Sequence, residues 1–313
     1  MEQDSACCSP QGKGLTLPAP PRVRRVSAAL RAEVAAGLVP LKGGFFQMGA
    51  AEGRYPDDLD SPPRRVFLSP FAIGRTTVTN ALFARFVAET GYRSTAEVEG
   101  WSFVFHAFLR DPARYPEHPV QTPWWRAVAG ASWQAPEGPG SSVQGRETHP
   151  AVHLSWFDAM ELAEATGTRL PTEAEWEFAA RGGLKGKRFP WGNDLVPPSG
   201  HRHNVWQGRF PHVNSAEDGF AGTCPADHYR PNAYGLHNMT GNVWEWTSCW
   251  FGPLPHGPLP PRDPQGPEHG PGRVIRGGSH LCHASYCERY QVHSRSHNTP
   301  DSTTGHMGVR LAR

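Results

Sequence analysis

The chain has 313 residues, which suits one large domain better than two small ones. Its formal charge is only +2 and its basic residues are scattered, which excludes the electrostatic footprint of a nucleic-acid-binding protein. The 34 glycines, 32 prolines and 11 tryptophans predict many turns, few long helices and a core built on aromatic plates.

The opening Met1-Glu2-Gln3-Asp4, followed by Cys7, Cys8 and a Pro-rich stretch, lacks the basic-then-apolar pattern of an export signal. No apolar run approaches the roughly 20 residues that span a bilayer. A cytoplasmic protein without a membrane partner is expected. Six cysteines in a chain of this length do not make a disulfide scaffold, and in a reducing compartment a close pair points to metal binding or catalysis.

Residues 1–38 read as a flexible tail and residues 39–313 as the folded domain. The tail holds one short helical pattern, capped by Ser27 and running through Val34 to Gly37. Gly43–Gly49 and Arg65–Leu68 read as short strands. Thr79-Asn80 caps a helix whose apolar face is Leu82, Phe83, Phe86 and Val87 and which ends near Gly91. A second helix is predicted over Trp156–Ala165 with Ser155 as cap, and a third over Thr172–Arg181, stopped by Gly182-Gly183. The Pro/Gly-rich stretches 130–148 and 252–272 read as surface excursions. No repeat of solenoid or propeller length is present. The fold class that follows is α+β with little regular secondary structure.

Two segments, Arg169-Leu170-Pro171-Thr172-Glu173-Ala174-Glu175-Trp176-Glu177 and Gly241-Asn242-Val243-Trp244-Glu245-Trp246, resemble signatures of the formylglycine-generating enzyme (sulfatase-modifying factor) superfamily. That resemblance implies a C-type-lectin-like fold. The superfamily also holds iron-dependent sulfoxide synthases and members without known activity, so these segments speak for fold more than for function. In a purely structural reading, Glu173 and Glu177 support the helix dipole and cap.

A third segment, Arg276-Gly277-Gly278-Ser279-His280-Leu281-Cys282-His283-Ala284-Ser285-Tyr286-Cys287, continuing to Ser302, resembles the active-site stretch of the formylglycine-generating enzymes themselves. Taken alone, two cysteines five apart are a metal or redox pair, a disulfide, or two small buried apolar groups. The resemblance implies that Cys282 and Cys287 hold Cu(I), a soft ion suited to thiolates, and that Ser279 is the hydroxyl of the pocket. It further implies an oxygen-using oxidase, of bacterial cytosolic type, that turns the cysteine of a Cys-x-Pro-x-Arg motif in an unfolded or nascent sulfatase into formylglycine. His297 and His306 depart from the family pattern near the expected pocket.

By the same resemblance, one structural Ca²⁺ is expected at Asn204, Val205, Asp218 and Phe220, and another at Asn238, Gly241, Val243 and Glu245, since hard oxygens from side chains and carbonyls are what calcium takes. Read without it, these are ordinary turn residues. Cys7, Cys8, Cys224 and Cys249 are expected to have no catalytic part. His293 and His297 stand four apart, but Thr299 follows where an iron site would want a carboxylate. Glu99, Trp101, Trp124 and Trp125 are candidates for the groove that takes the substrate's arginine, or for core. A non-catalytic lectin-like binding module and a sulfoxide synthase are the competing functions.

Overall fold

The computed structural model describes residues 10–12 and 25–313. The first helix, α1 (Ala28–Ala36), is capped by Ser27, whose Oγ accepts from the Leu30 amide at 3.1 Å. Val26, Leu30 and Val34 recur every fourth residue, one face of a helix, and all three are buried in the main apolar core. This corrects the expected tail over 1–38: its last third belongs to the folded body, because that apolar face must be covered. Pro10 is buried as well. Cys7 and Cys8 lie outside the described residues.

Among the described residues there are twelve short strands: β1 (Leu38–Leu41), β2 (Gly44–Met48), β3 (Arg64–Leu68), β4 (Phe71–Gly74), β5 (Trp101–Phe105), β6 (Trp125–Ala129), β7 (Gly208–Arg209), β8 (Val213–Asn214), β9 (Trp244–Trp250), β10 (Arg273–Arg276), β11 (Arg295–Asn298) and β12 (Met307–Gly308). Four antiparallel pairs, β1 with β4, β2 with β3, β5 with β6 and β7 with β8, surround one four-stranded sheet ordered β11-β10-β9-β12. In that sheet only β12 runs parallel to its neighbour, pairing Met307 with Trp244.

The three expected helices are present: α2 (Asn80–Thr90), α4 (Trp156–Thr166) and α5 (Glu173–Arg181). Each begins at the expected Thr or Ser cap, and a glycine in the left-handed region ends it. Between α2 and α4 lies α3 (Thr95–Glu99), too short to show a periodicity in the sequence; its Ser94/Glu97 capping box compensates for its five-residue length. The stretches 130–148 and 252–272 carry no helix or strand, but buried side chains pin them down. Trp133 packs edge-on against Phe83 at 5.2 Å, and Leu254 enters the core beside α5.

All nine residues of α5 are buried. Its acids explain how that is possible. Arg276, at the end of β10, donates to Glu173 at 3.0 Å and to Glu177 at 2.7 Å. Arg295 donates to Glu173 at 2.8 Å and Arg181 to Glu177 at 2.6 Å. Burial alone would raise the Glu177 carboxyl, but Arg181 and Arg276 hold it below its ordinary value. One strand away, Glu245 accepts from Arg310 at 2.7 and 2.8 Å and from the Trp176 indole at 2.7 Å. Glu173 and Glu177 are thus structural, as the dipole reading held, though their main partners are distant arginines.

Candidate active site

The loop after β10 begins at Arg276, which the carboxylates of α5 fix. Gly277 and Gly278 follow at φ 96° and 72°, and a Cβ on Gly278 would come within 2.9 Å of the Tyr290 backbone, so the tight reversal needs glycine there. The reversal folds Ser279–Tyr290 back on itself. The Cys282 amide donates to the Ser279 carbonyl at 2.9 Å and the Cys287 amide to that of His283 at 2.7 Å.

These two turns bring the Sγ atoms of Cys282 and Cys287 to 3.6 Å from each other, with both residues buried. Ser279 lies against the first sulfur: its amide is 3.4 Å and its Oγ 3.9 Å from the Cys282 Sγ. The structure therefore gathers the three expected catalytic residues at one point. Cys287 carries a disulfide, and because an S–S bond measures about 2.05 Å, Cys282 is not its other half. A cation stands nearby. Arg289 Nη1 is 3.9 Å from the Cys287 Sγ, and Asp58 clamps its guanidinium at 2.6 and 2.8 Å. A fixed positive charge there favours the thiolate over the thiol once that sulfur is reduced.

Above the sulfurs opens a narrow cleft walled by Trp124, Trp125, Phe210, Leu281 and Tyr286. The Phe210 and Tyr286 rings stack at 4.6 Å and 4°, and Trp124 meets Tyr286 edge-on at 4.9 Å. Of the groove candidates, Trp124 and Trp125 line this cleft. Trp101 packs into the same aromatic cluster, while Glu99 ends α3. Phe210 and Tyr286 were not singled out from sequence. Tyr286 had a signal, its place beside Cys287; Phe210 comes from a loop more than sixty residues upstream and had none.

His306, one of the two departures from the family pattern, lies beside the cleft with its ring 4.6 Å from Trp125 and its Nδ1 2.6 Å from the Thr304 hydroxyl. His297 does not. It stacks on Phe251 at 4.3 Å, and burial pushes it down to about 4, so it is neutral near pH 7. His293 is likewise pushed down to about 4 by burial. Among the described residues no three His, Cys, Asp or Glu side chains are grouped to hold a metal ion. Burial pushes the thiols of Cys224 and Cys249 up to about 12, keeping both protonated and poor nucleophiles.

Of the two expected calcium sets, the first converges. Asp218 Oδ2 accepts from the Val205 amide at 3.1 Å and Oδ1 from the Phe220 amide at 3.0 Å. The Gln207 side-chain amide lies between the Val205 carbonyl and Asp218, where a cation would sit, and the Oδ1 of Asn204 is buried without a hydrogen-bond partner. In the second set Asn238 Oδ1 is also buried without a partner, beside Gly241 and Val243 in the chain, but three donors already occupy Glu245. That leaves Glu245 about one of its four lone-pair positions, so the second set is the poorer fit.

Fold and loop together define a sulfatase-modifying-factor domain, and a family model described as "Sulfatase-modifying factor enzyme 1-like domain" matches residues 24–313. That match takes in α1, as the packing of Leu30 does. Two curated relatives named formylglycine-generating enzyme are each 52% identical to this chain. The one from Thermomonospora curvata aligns over 90% of this chain and 94% of its own, and the one from Streptomyces coelicolor over 94% and 95%. The structure of PvdO from Pseudomonas aeruginosa superposes with a TM-score of 0.63 at 25% identity, covering 88% of this chain and 93% of that one. The chain belongs to the formylglycine-generating enzyme family. Among the described residues no helix is long and apolar enough to cross a membrane.

Proposed function

We propose that this chain is an oxidase that activates sulfatases by converting one of their cysteines to formylglycine, acting on a Cys-x-Pro-x-Arg segment of an unfolded or nascent polypeptide in the cytoplasm. The observation that carries the reading is the pair of sulfurs 3.6 Å apart at the foot of an aromatic cleft. Family membership supplies the reaction.

Two soft sulfurs side by side, with Arg289 to stabilise a thiolate, suit Cu(I), and Cys282 and Cys287 would hold it once the Cys287 disulfide is reduced. Bound copper would supply the activation of molecular oxygen. The chain's own part is positional. The cleft leads to the sulfurs, and its rings exclude water while hydrogen leaves the substrate carbon beside sulfur. Ser279 is placed to fix the orientation of Cys282 through its amide. The thioaldehyde left on the substrate then takes up water and releases its sulfur as sulfide, giving the aldehyde.

A structural calcium ion at Asn204, Val205, Asp218 and Phe220 is part of the proposal. It is supported by the buried, unpartnered Asn204 oxygen and by the Gln207 amide in the position of a cation. Such an ion would stabilise the fold by binding only its folded form.

The test is incubation of the reduced protein with a Cys-x-Pro-x-Arg peptide and its serine analogue, in air, with and without Cu(I), followed by aldehyde trapping with a hydroxylamine probe. Aldehyde is expected from the cysteine peptide with copper alone. A serine hydroxyl stays protonated near neutral pH and is a poor ligand for a soft ion. Equal reaction of the serine peptide, or indifference to copper, overturns the mechanism.

A further inference from the structure

The short segment Pro10–Gly12 is seated in the folded body almost three hundred residues away in sequence. Pro10 is buried, and its carbonyl accepts two hydrogen bonds, from Ser302 Oγ at 2.7 Å and from Asn298 Nδ2 at 3.2 Å. Two residues on, the Gly12 amide donates to Thr299 Oγ1 at 2.9 Å. A Cβ on Gly12 would meet the Asp301 carboxylate at 2.5 Å, so that acid walls the seat beside this residue.

The strip that grips the segment adjoins the wall of the cleft. Asn298 ends β11, and its Nδ2 also approaches Met307 Sδ at 3.7 Å; Met307 follows His306, whose ring lies 4.6 Å from Trp125 in that wall. The hydrogen bonds to Pro10–Gly12 are all on its backbone, so another extended chain would find the same hydrogen-bond partners, while the buried ring of Pro10 adds an apolar contact that favours proline at that position. Proline loses no hydrogen bond there, because its carbonyl is the group used.

The sequence of the segment is informative beside the proposed substrate. Cys8-Ser9-Pro10-Gln11-Gly12 reproduces Cys-x-Pro and places glycine where the arginine would stand. We propose that the strip from Asn298 to Ser302 is the subsite for the residues that follow the reacting cysteine of a substrate, and that Pro10–Gly12 occupies it as an internal competitor. The inference rests on the activity proposed above. Without the arginine the segment is a weak ligand, but tethering raises its effective concentration to the order of millimolar, enough for a weak ligand to hold the site. A genuine substrate displaces it through its arginine. Since the competitor touches binding and not the hydrogen-removal step, it raises KM and leaves kcat alone.

The test uses the full chain with Pro10→Asp, which places a charge where a buried proline sat and unseats the segment, under a thiol reductant so that the Cys287 disulfide is open in every arm. KM for a Cys-x-Pro-x-Arg peptide is expected to fall at least three-fold at unchanged kcat. A ten-residue peptide of positions 5–14 should restore the higher KM competitively, and the same peptide carrying Pro10→Asp should not. Unchanged KM together with no inhibition by the peptide overturns the proposal, as does a loss of kcat and thermal midpoint at constant KM, which marks the segment as structural lacing. If Pro10→Asp does not fold, competitive inhibition of the wild-type chain by millimolar peptide decides alone. Should no aldehyde form with any enzyme, the activity reading fails; anisotropy of the labelled ten-residue peptide, with and without Asn298→Ala, then still tests the subsite by binding.

Discussion

The carboxylate hub beneath α5 and the cysteine loop above it meet at Arg276, yet they are built in opposite ways. In the hub, Glu173 and Glu177 share three arginines at 2.5–3.0 Å, and every carboxylate oxygen is taken. In the loop, Ser279, Arg289 and the two sulfurs meet at 3.4 to 3.9 Å, and Cys287 is held besides by its disulfide. Short, multiply shared ion pairs make a rigid base; weak contacts around the sulfurs leave them able to take a new partner once the disulfide is reduced. The contrast shows rigidity placed immediately behind reactivity, so that the loop need not stiffen itself.

The sharpest way to break this contrast is Cys282→Ala or Cys287→Ala. Each should abolish turnover while costing about 1 kcal/mol of stability, the usual scale of a small side-chain change, when parent and variant are compared under a thiol reductant that opens the Cys287 disulfide; aldehyde formation and the thermal midpoint read the two halves. Cys224→Ser and Cys249→Ser serve as controls and should leave the rate nearly unchanged, since both thiols stay protonated. Retained turnover in either loop variant would mean that the wrong sulfurs were chosen.

Arg276→Leu attacks the other side. Removing one member of a buried ionic cluster leaves charge unpaired and typically costs about 3–5 kcal/mol. Denaturant unfolding should show that loss, while activity per folded molecule falls less than it does in the cysteine variants. A stable Arg276→Leu protein with no activity would place the arginine in the chemistry instead.

The smallest effect concerns calcium. A strong chelator should lower the thermal midpoint by a few degrees, roughly what 1 kcal/mol does in a protein of this size. Asp218→Ala should lower it similarly and abolish the response to chelator. Glu245→Ala should destabilise with or without chelator, because it strands the fully buried Arg310. An additional chelator response in Asp218→Ala would move the ion elsewhere.

Much of this was legible in the sequence because the signals are local. Thr79, Ser155 and Thr172 each satisfy an amide three residues on, so helix starts could be read within a few positions. The spacing of Cys282 and Cys287 likewise lies within one loop. α3 escaped because five residues carry no periodicity, even though its capping box is written in Ser94 and Glu97. The role of α1 was misjudged because its partners, such as Leu162 on α4, are distant in the chain. The arginine partners of Glu173 and the Phe210 wall were illegible for the same reason: their meaning arises only when residues far apart in sequence converge.

The complete burial of α5 has a bearing on descent. A helix without a solvent face has no position at which exchange is free, and its acids are tied to arginines that would have to change in concert. Such a segment drifts slowly whatever the protein does for its host. A descendant that lost Cys282 and Cys287 would still keep the stretch from Arg169 to Arg181, because losing that stretch costs the fold itself. Kinship among such chains is therefore written in α5 and occupation in the cysteine loop, and a lineage can change the second for a long time before it touches the first.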